Sequence, residues 1–299
     1  MLHKFTNKEY SFNFVKLFPK AKLISMLFII ITIISLFSTG LNKGIDFSGG
    51  ILMEIRFEKT VQLNDIRKIF AQNNIEDISI QNFGSDKDII LRLKHYNEKE
   101  VASNLTERIK SIINVYDSNY TMRRSEFVGP IISSELLHNG ILALIISFAA
   151  IMLYITLRFN LSFGIGSIIA LIHDIILVFG FYSLLKIEFN LTSIAALLTI
   201  IGYSINDTVV IYDRIRENMR RYKSLAMPEI LNKSINENLV RTILTSLTTL
   251  LALVSLAIFG GAVLKSFSLG VLFGVVMGTY SSIFIAAPIL QNSKKSKFT

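Results

Sequence analysis

The sequence predicts a polytopic α-helical membrane protein with six transmembrane helices and one α+β, ferredoxin-like (βαββαβ) extracytoplasmic domain. Three observations carry that expectation. Hydrophobic residues make up 51% of the 299, charged residues only 18%, and the mean hydropathy is +0.51, a balance that excludes an ordinary soluble domain. Six apolar stretches are long enough to cross hydrocarbon. Between the first and second lie about a hundred more polar residues, enough for one small domain.

Segment 1–22 carries Lys4, Lys8, Lys16, Lys20 and Lys22, and the first span follows at 23–39. Basic residues beside a span hold that end in the cytoplasm. No small-x-small cleavage site follows the apolar run, so this helix is read as uncleaved.

Residues 40–138 form the extracytoplasmic domain. Ile51 to Phe57 mixes apolar and charged positions like a strand, and Leu63, Ile66, Ile69 and Phe70 recur at helical spacing. Two strands follow, from Asp77 to Phe83 and from Asp88 to Lys94, separated by a tight turn at Gly84-Ser-Asp-Lys87. Glu98 to Tyr116 repeats Val101, Leu105, Ile109 and Ile112 as a helix would, before a last strand from Tyr120 to Phe127. That order is βαββαβ, the ferredoxin-like pattern. At its entrance stands Gly44-Ile-Asp-Phe-Ser-Gly-Gly50, in which Gly49 and Gly50 suit a sharp turn into the strand. It is not a phosphate cradle, because it lacks a Walker lysine and leads into a strand, not a helix.

The bundle 139–290 holds the other spans at 139–157, 161–185, 191–212, 239–261 and 267–290. Arg158 lies in one connection, Arg214, Arg216, Arg220, Arg221, Lys223 and Lys233 in a basic loop at 213–238, and Lys294, Lys295 and Lys297 in the tail 291–299. The opposite connections hold only Lys186 and Lys265, so loop, tail and N-terminus are all assigned to the cytoplasm. The loop is long enough for a short surface helix that touches a cytoplasmic partner. Gly270, Gly274 and Gly278 share one helical face, a row that lets helices approach closely within the bundle or against another subunit.

Few polar residues interrupt the spans: His173 and Asp174 in the third, Asn206 and Asp207 in the fourth, and Arg241 near the start of the fifth. A carboxylate near the bilayer centre costs roughly 2.5 to 3.5 kcal/mol on insertion scales, so it faces a bundle interior or a water path and marks a proton or ion route. Asp207 lies roughly 9 Å inside the boundary set by Asp213. The rival reading is a carboxylate satisfied by a neighbouring helix. His173 and Asp174 likewise suit either proton exchange or a structural interhelical hydrogen bond.

Other chemistries are excluded. The net charge of +9 sits beside the spans, where orientation explains it without a nucleic acid partner. Cysteine is absent and the four histidines are scattered, so no thiol, metal or cofactor site is expected. No nucleophile, base and orienting group align for hydrolysis, so the chain is not read as an enzyme.

Four stretches resemble the signatures of the SecD/SecF family of bacterial protein-export membrane proteins: Gly44 to Gly50, His173-Asp174, Ser204 to Asn218, and Arg241 to Leu250. The resemblance covers nearly the whole chain. It implies a protein translocase subunit of the bacterial inner membrane that pairs with SecD, each contributing six helices. The pair would join the SecYEG channel and the SecA motor and help move exported preproteins, drawing on the proton motive force as resistance-nodulation-division exporters do. The family's transport-critical aspartate falls on Asp207 and its fifth-span arginine on Arg241. Asp213, Arg214 and Arg216 also fit the motif, but at the membrane boundary, where they anchor the helix end. Gly44, Asp46, Gly49 and Gly50 form the family's glycine motif. Two alternatives are a small-molecule proton-antiport efflux protein, for which the outer domain leaves little room, and a structural membrane scaffold indifferent to Asp207.

The charge bias fixes a topology. A reporter fused within 60–120 is expected outside the cytoplasm and one after Lys294 inside, read by compartment-specific activity. A cytoplasmic reporter at 60–120 overturns the map.

Overall fold

The structure, a computed structural model, describes residues 12–75, 78–83, 85–93 and 102–291. Lys4, Lys8, Asp77, Gly84, Lys94, Glu98, Val101, Lys294, Lys295 and Lys297 lie outside the described residues. The chain divides into two compact units, Met1–Asn42 with Leu142–Thr299, and Lys43–Ile141. Helix α1 (Phe14–Ser38) comes first, followed by β1 (Gly50–Phe57), α2 (Leu63–Gln72), β2 (Ile78–Phe83), β3 (Ser85–Leu93), α3 (Ala102–Tyr116) and β4 (Tyr120–Val128). Long helices complete the chain: α4 (Pro130–Arg158), α5 (Leu161–Leu184), α6 (Leu191–Arg221), α7 (Met227–Phe259) and α8 (Gly261–Ser281). Among the described residues six helices are long and apolar enough to cross a membrane.

The smaller unit has the expected βαββαβ order, with strands arranged β2-β3-β1-β4 and antiparallel throughout. Alternation along β1 decides its faces. Ile51, Met53, Ile55 and Phe57 point into a core closed by Ile66 and Phe70 of α2 and Leu105, Ile109 and Ile112 of α3. On the other face Arg56 of β1 grips Asp88 of β3 with two hydrogen bonds, of 2.8 and 2.9 Å, and Ser85 donates to the same carboxylate at 2.7 Å. The turn expected at 84–87 is tighter than foreseen, because Ser85, Asp86 and Lys87 already belong to β3 and Phe83 pairs with Ser85.

The glycine motif folds as a turn. A single helical turn, Ile45–Ser48, ends at Gly49, whose φ of +68° suits glycine and whose N–H donates to the Ile45 carbonyl at 2.9 Å. Gly50 then opens β1 with a φ of +121°.

In the helical unit α1 packs on α5, and α8 packs on α5, α6 and α7. The glycine row packs inside the bundle: a Cβ on Gly270 would meet Tyr182 of α5, and on Gly274 and Gly278 would meet Ile200 and Ser204 of α6. After α8 the chain takes one π turn, Ser282–Ala286, before Ala287–Ile289. Pro288 supplies the cause, since its ring lacks an N–H and crowds the carbonyl four residues back, which disfavours a continuous α register.

The basic segment 213–238 is not a loop with its own surface helix. Helix α6 runs on to Arg221 and α7 begins at Met227, leaving a short connection. Ile215 and Met219 continue the apolar stripe of α6 beyond the expected end of the span, and Met227, Ile230, Leu231 and Ile235 do the same for α7. Together they bury Phe14 and Phe18 of α1. Polar contacts pin the hairpin: Asn218 Nδ2 donates to Ser234 Oγ at 3.0 Å and to Glu237 Oε2 at 2.6 Å, and Arg214 Nε to Glu237 at 2.7 Å. Asn236 exchanges two hydrogen bonds with the backbone of Phe12, just ahead of α1, and α1 itself begins at Phe14, well before residue 23.

Asp88 generates a prediction. Burial alone would raise its pKa, but the hydrogen bonds from Ser85 and Arg56 and the charge of Arg123 hold it below the ordinary carboxylate value. A lowered folded pKa gives stability that is present above the unfolded value and lost as pH falls through the folded one. Asp88→Asn is therefore expected to cost about 1.5–3 kcal/mol of local stability at neutral pH and much less in strong acid. Hydrogen exchange of β1 and β3 amides in the full chain reads the difference.

Candidate functional site

Two buried carboxylates on neighbouring helices are satisfied in different ways. Asp174 of α5 is fully buried, and its Oδ2 accepts from Ser204 Oγ of α6 and Ser281 Oγ of α8, each at 2.7 Å. Its Oδ1 lies 3.3 Å from His173 Nδ1. The His173 ring stacks on Tyr280, whose hydroxyl donates to the Ala21 carbonyl of α1 at 2.7 Å. One carboxylate thus joins three helices, and its histidine neighbour leans toward a fourth. This geometry has the form of the interhelical hydrogen bond that the sequence left as one of two readings.

Asp207 of α6 is 4% exposed, and its Oδ2 has no hydrogen-bond partner among the described residues. Two groups face the carboxylate, the Arg241 guanidinium of α7 and the Thr279 hydroxyl of α8. Arg241 is near enough for its charge to act on Asp207, yet the two form no ion pair within 4.0 Å among the described residues. Arg241 itself is exposed and lines a cavity of about 760 Å³ between α6 and α7. Thr279 Oγ1 lies 2.7 Å from Ser246 Oγ of α7, and Tyr203 OH donates to Ser246 at 3.4 Å. Alongside, Thr208 Oγ1 lies 2.8 Å from Ser282 Oγ at the start of the π turn.

The structure thus brings Asp207 and Arg241 together and leaves the other candidates apart from them. Asn206 is exposed, on another side of α6. Asp213 takes an ion pair from Arg158 at 3.3 Å, and Arg214 bridges Glu217 at 2.6 Å and Glu237 at 2.7 Å, so both fasten helix ends. Gly44, Asp46, Gly49 and Gly50 belong to the smaller unit. Among the described residues no three histidine, aspartate or glutamate side chains converge on a metal-sized space.

Chemically the contrast matters. Asp174 has both oxygens engaged, so gaining or losing a proton rearranges contacts on three helices. Asp207 keeps one oxygen unengaged, where a proton is added without breaking a hydrogen bond. Sequence reading missed Thr279, Ser281, Ser282 and Ser204. The signal was there, in the run Gly278-Thr-Tyr-Ser-Ser282, which sets four consecutive hydroxyl side chains inside an apolar span.

The interhelical joint is testable. Interhelical hydrogen bonds in bilayers average about 0.6 kcal/mol and reach about 1.7, and two bonds of 2.7 Å to one fully buried carboxyl oxygen belong at the upper end. Ser204→Ala and Ser281→Ala are each expected to lower the stability of the purified chain by about 1–2 kcal/mol, with the double variant losing more than either. Thermal unfolding in detergent reads the loss, and unchanged midpoints for all three variants refute the joint.

Similarity to known proteins extends over nearly the whole chain. The family described as "Protein export membrane protein SecD/SecF, C-terminal" matches residues 108–296, and the "SecD/SecF GG Motif" matches 34–61. A protein translocase subunit SecF from Rickettsia bellii is 49% identical over 274 residues, covering 90% of each chain. One from Rickettsia prowazekii is 44% identical over 295 residues, covering 99% of this chain and 95% of its own. Among solved structures, SecDF from Thermus thermophilus, a translocon-associated membrane protein, superposes with a TM-score of 0.84 at 35% identity over 95% of this chain. This chain spans only 38% of that SecDF chain's length.

Proposed function

Since the chain belongs to the SecD/SecF family of protein-export membrane proteins, we propose that it serves as a protein translocase subunit in which Asp207 and Arg241 couple proton movement to export. The observation that carries the coupling is a carboxylate oxygen buried within a span with a guanidinium nearby, and without a hydrogen-bond partner or ion pair among the described residues. With Arg241 alongside, an ionised Asp207 is compensated. With Arg241 withdrawn, the same carboxyl is buried with only the Thr279 hydroxyl beside it, and there the neutral acid is the tolerated form. Alternation between the two arrangements binds and releases a proton. A proton falling through roughly 150 mV releases about 3.5 kcal/mol, enough to bias a conformational change.

The partner in this reading is SecD. Asn206 and Arg241 are both exposed on the helices of the site, and polar groups exposed on membrane spans call for cover by another subunit. The much longer SecDF chain that matches this one gives room for that subunit. The SecYEG channel, the SecA motor and exported preproteins complete the assembly. The membrane is the bacterial inner membrane, with both termini and the α6–α7 hairpin in the cytoplasm. No hydrolytic chemistry of its own is needed, because the gradient supplies the work.

Asp207→Asn keeps the shape and removes the exchangeable proton. It is expected to insert and assemble at normal levels while translocation of a model precursor into inverted vesicles loses its gradient-dependent gain. Arg241→Met is expected to do similar damage, and Asp213→Asn to be milder, since its pair is exposed. If Asp207→Asn retains the full gain, Asp207 is structural and the coupling mechanism is wrong.

A further inference from the structure

The cavity between α6 and α7 is lined by arginines of which the proton-coupling reading uses only Arg241. Six guanidinium groups line it, from Arg158, Arg214, Arg216, Arg220, Arg221 and Arg241, against two carboxylates, Asp213 and Glu217, an excess of four positive charges. Arg158 is neutralised by Asp213, and Arg214 by Glu217 and Glu237. Arg220, Arg221 and Arg241 form no ion pair among the described residues, and all three are exposed. Orienting helices requires only that basic residues lie on one side of the membrane. It does not require arginines from three helices to converge on one cavity, where their mutual repulsion costs stability unless an anion relieves it.

Two further features define that anion. The cavity is apolar at its membrane end, where Val209 and Val210 line it. Just beyond Arg241, α7 presents an exposed apolar row, Ile243, Leu244, Leu247 and Leu251, running along the span. A ligand matching both is anionic at one end and apolar at the other. We propose that the cavity binds the phosphate headgroup of an anionic phospholipid from the adjacent leaflet, with its acyl chains lying along the exposed row of α7. Guanidinium groups are suited to phosphate, since their planar donors pair two oxygens at once. Basic pockets between spans are the usual seats of such headgroups. The proposal shares Arg241 with proton coupling, but its test is independent of it, because the test alters Arg220 and Arg221 and neither Asp207 nor Arg241.

The test uses the full chain purified with the subunits it retains, placed in phosphatidylcholine nanodiscs with and without phosphatidylglycerol. Lipids held after mild delipidation are identified by native mass spectrometry. The wild type is expected to retain phosphatidylglycerol selectively. Each surface arginine contributes roughly a fivefold gain in affinity, so Arg220→Gln with Arg221→Gln is expected to weaken retention roughly 30-fold. Arg220→Lys with Arg221→Lys keeps the charge and is expected to preserve most of it, which separates lost binding from lost folding. Equal retention by wild type and the glutamine variant overturns the proposal. Displacement of the lipid by soluble glycerol phosphate assigns the cavity to a free anion and also overturns it. So does a photo-crosslinker at Arg220 that captures an acidic protein segment in place of lipid.

Discussion

Charge inside an apolar bundle must be compensated, and this requirement arranges the helical unit. Asp174 meets it by drawing hydroxyls from α6 and α8, so its site fixes the spacing of three helices. Asp207 meets it only in part, with Thr279 and a guanidinium that stops short of an ion pair. A fully satisfied carboxylate is a fastening, and a partly satisfied one is a place where state can change. That the two sites share α6 and α8, with Ser204 and Asp207 less than one turn apart on α6, gives the fold one fixed joint beside one changeable group.

The glycine row serves the same requirement. Serine reaches an aspartate on the next helix only if the backbones are close, and Gly278 of α8 faces Ser204 directly. A larger residue there would push α6 away from α8 and lengthen the hydrogen bond from Ser204 to Asp174. Packing and electrostatics are therefore one constraint at this crossing.

Much of this was legible in the sequence, and the parts that were not have physical reasons. Hydropathy located all six spans, and period-two and helical patterns recovered the order of the smaller unit, because both signals come from one-sided burial. Asp207 and Arg241 stood out as charges within apolar runs. The hairpin between α6 and α7 was misread because charged residues dominate its composition while a sparse apolar stripe, Ile215, Met219, Ile230 and Ile235, decides its structure. The serine and threonine partners were overlooked because hydroxyls are ordinary in spans, and which of them meets a carboxylate depends on helix rotation. The π turn that influences that rotation is set by Pro288, several residues away.

The fastening of α6 to α7 through Asn218, Ser234 and Glu237 has a mechanical consequence. Two rods joined near one end move as a lever about that joint. Arg241 lies about 6 Å along α7 from Glu237, and Phe259 about 33 Å. A rigid tilt of α7 about that joint would therefore carry its far end roughly five times as far as Arg241, and the packing of α8 along α7 is what such a tilt would have to shift.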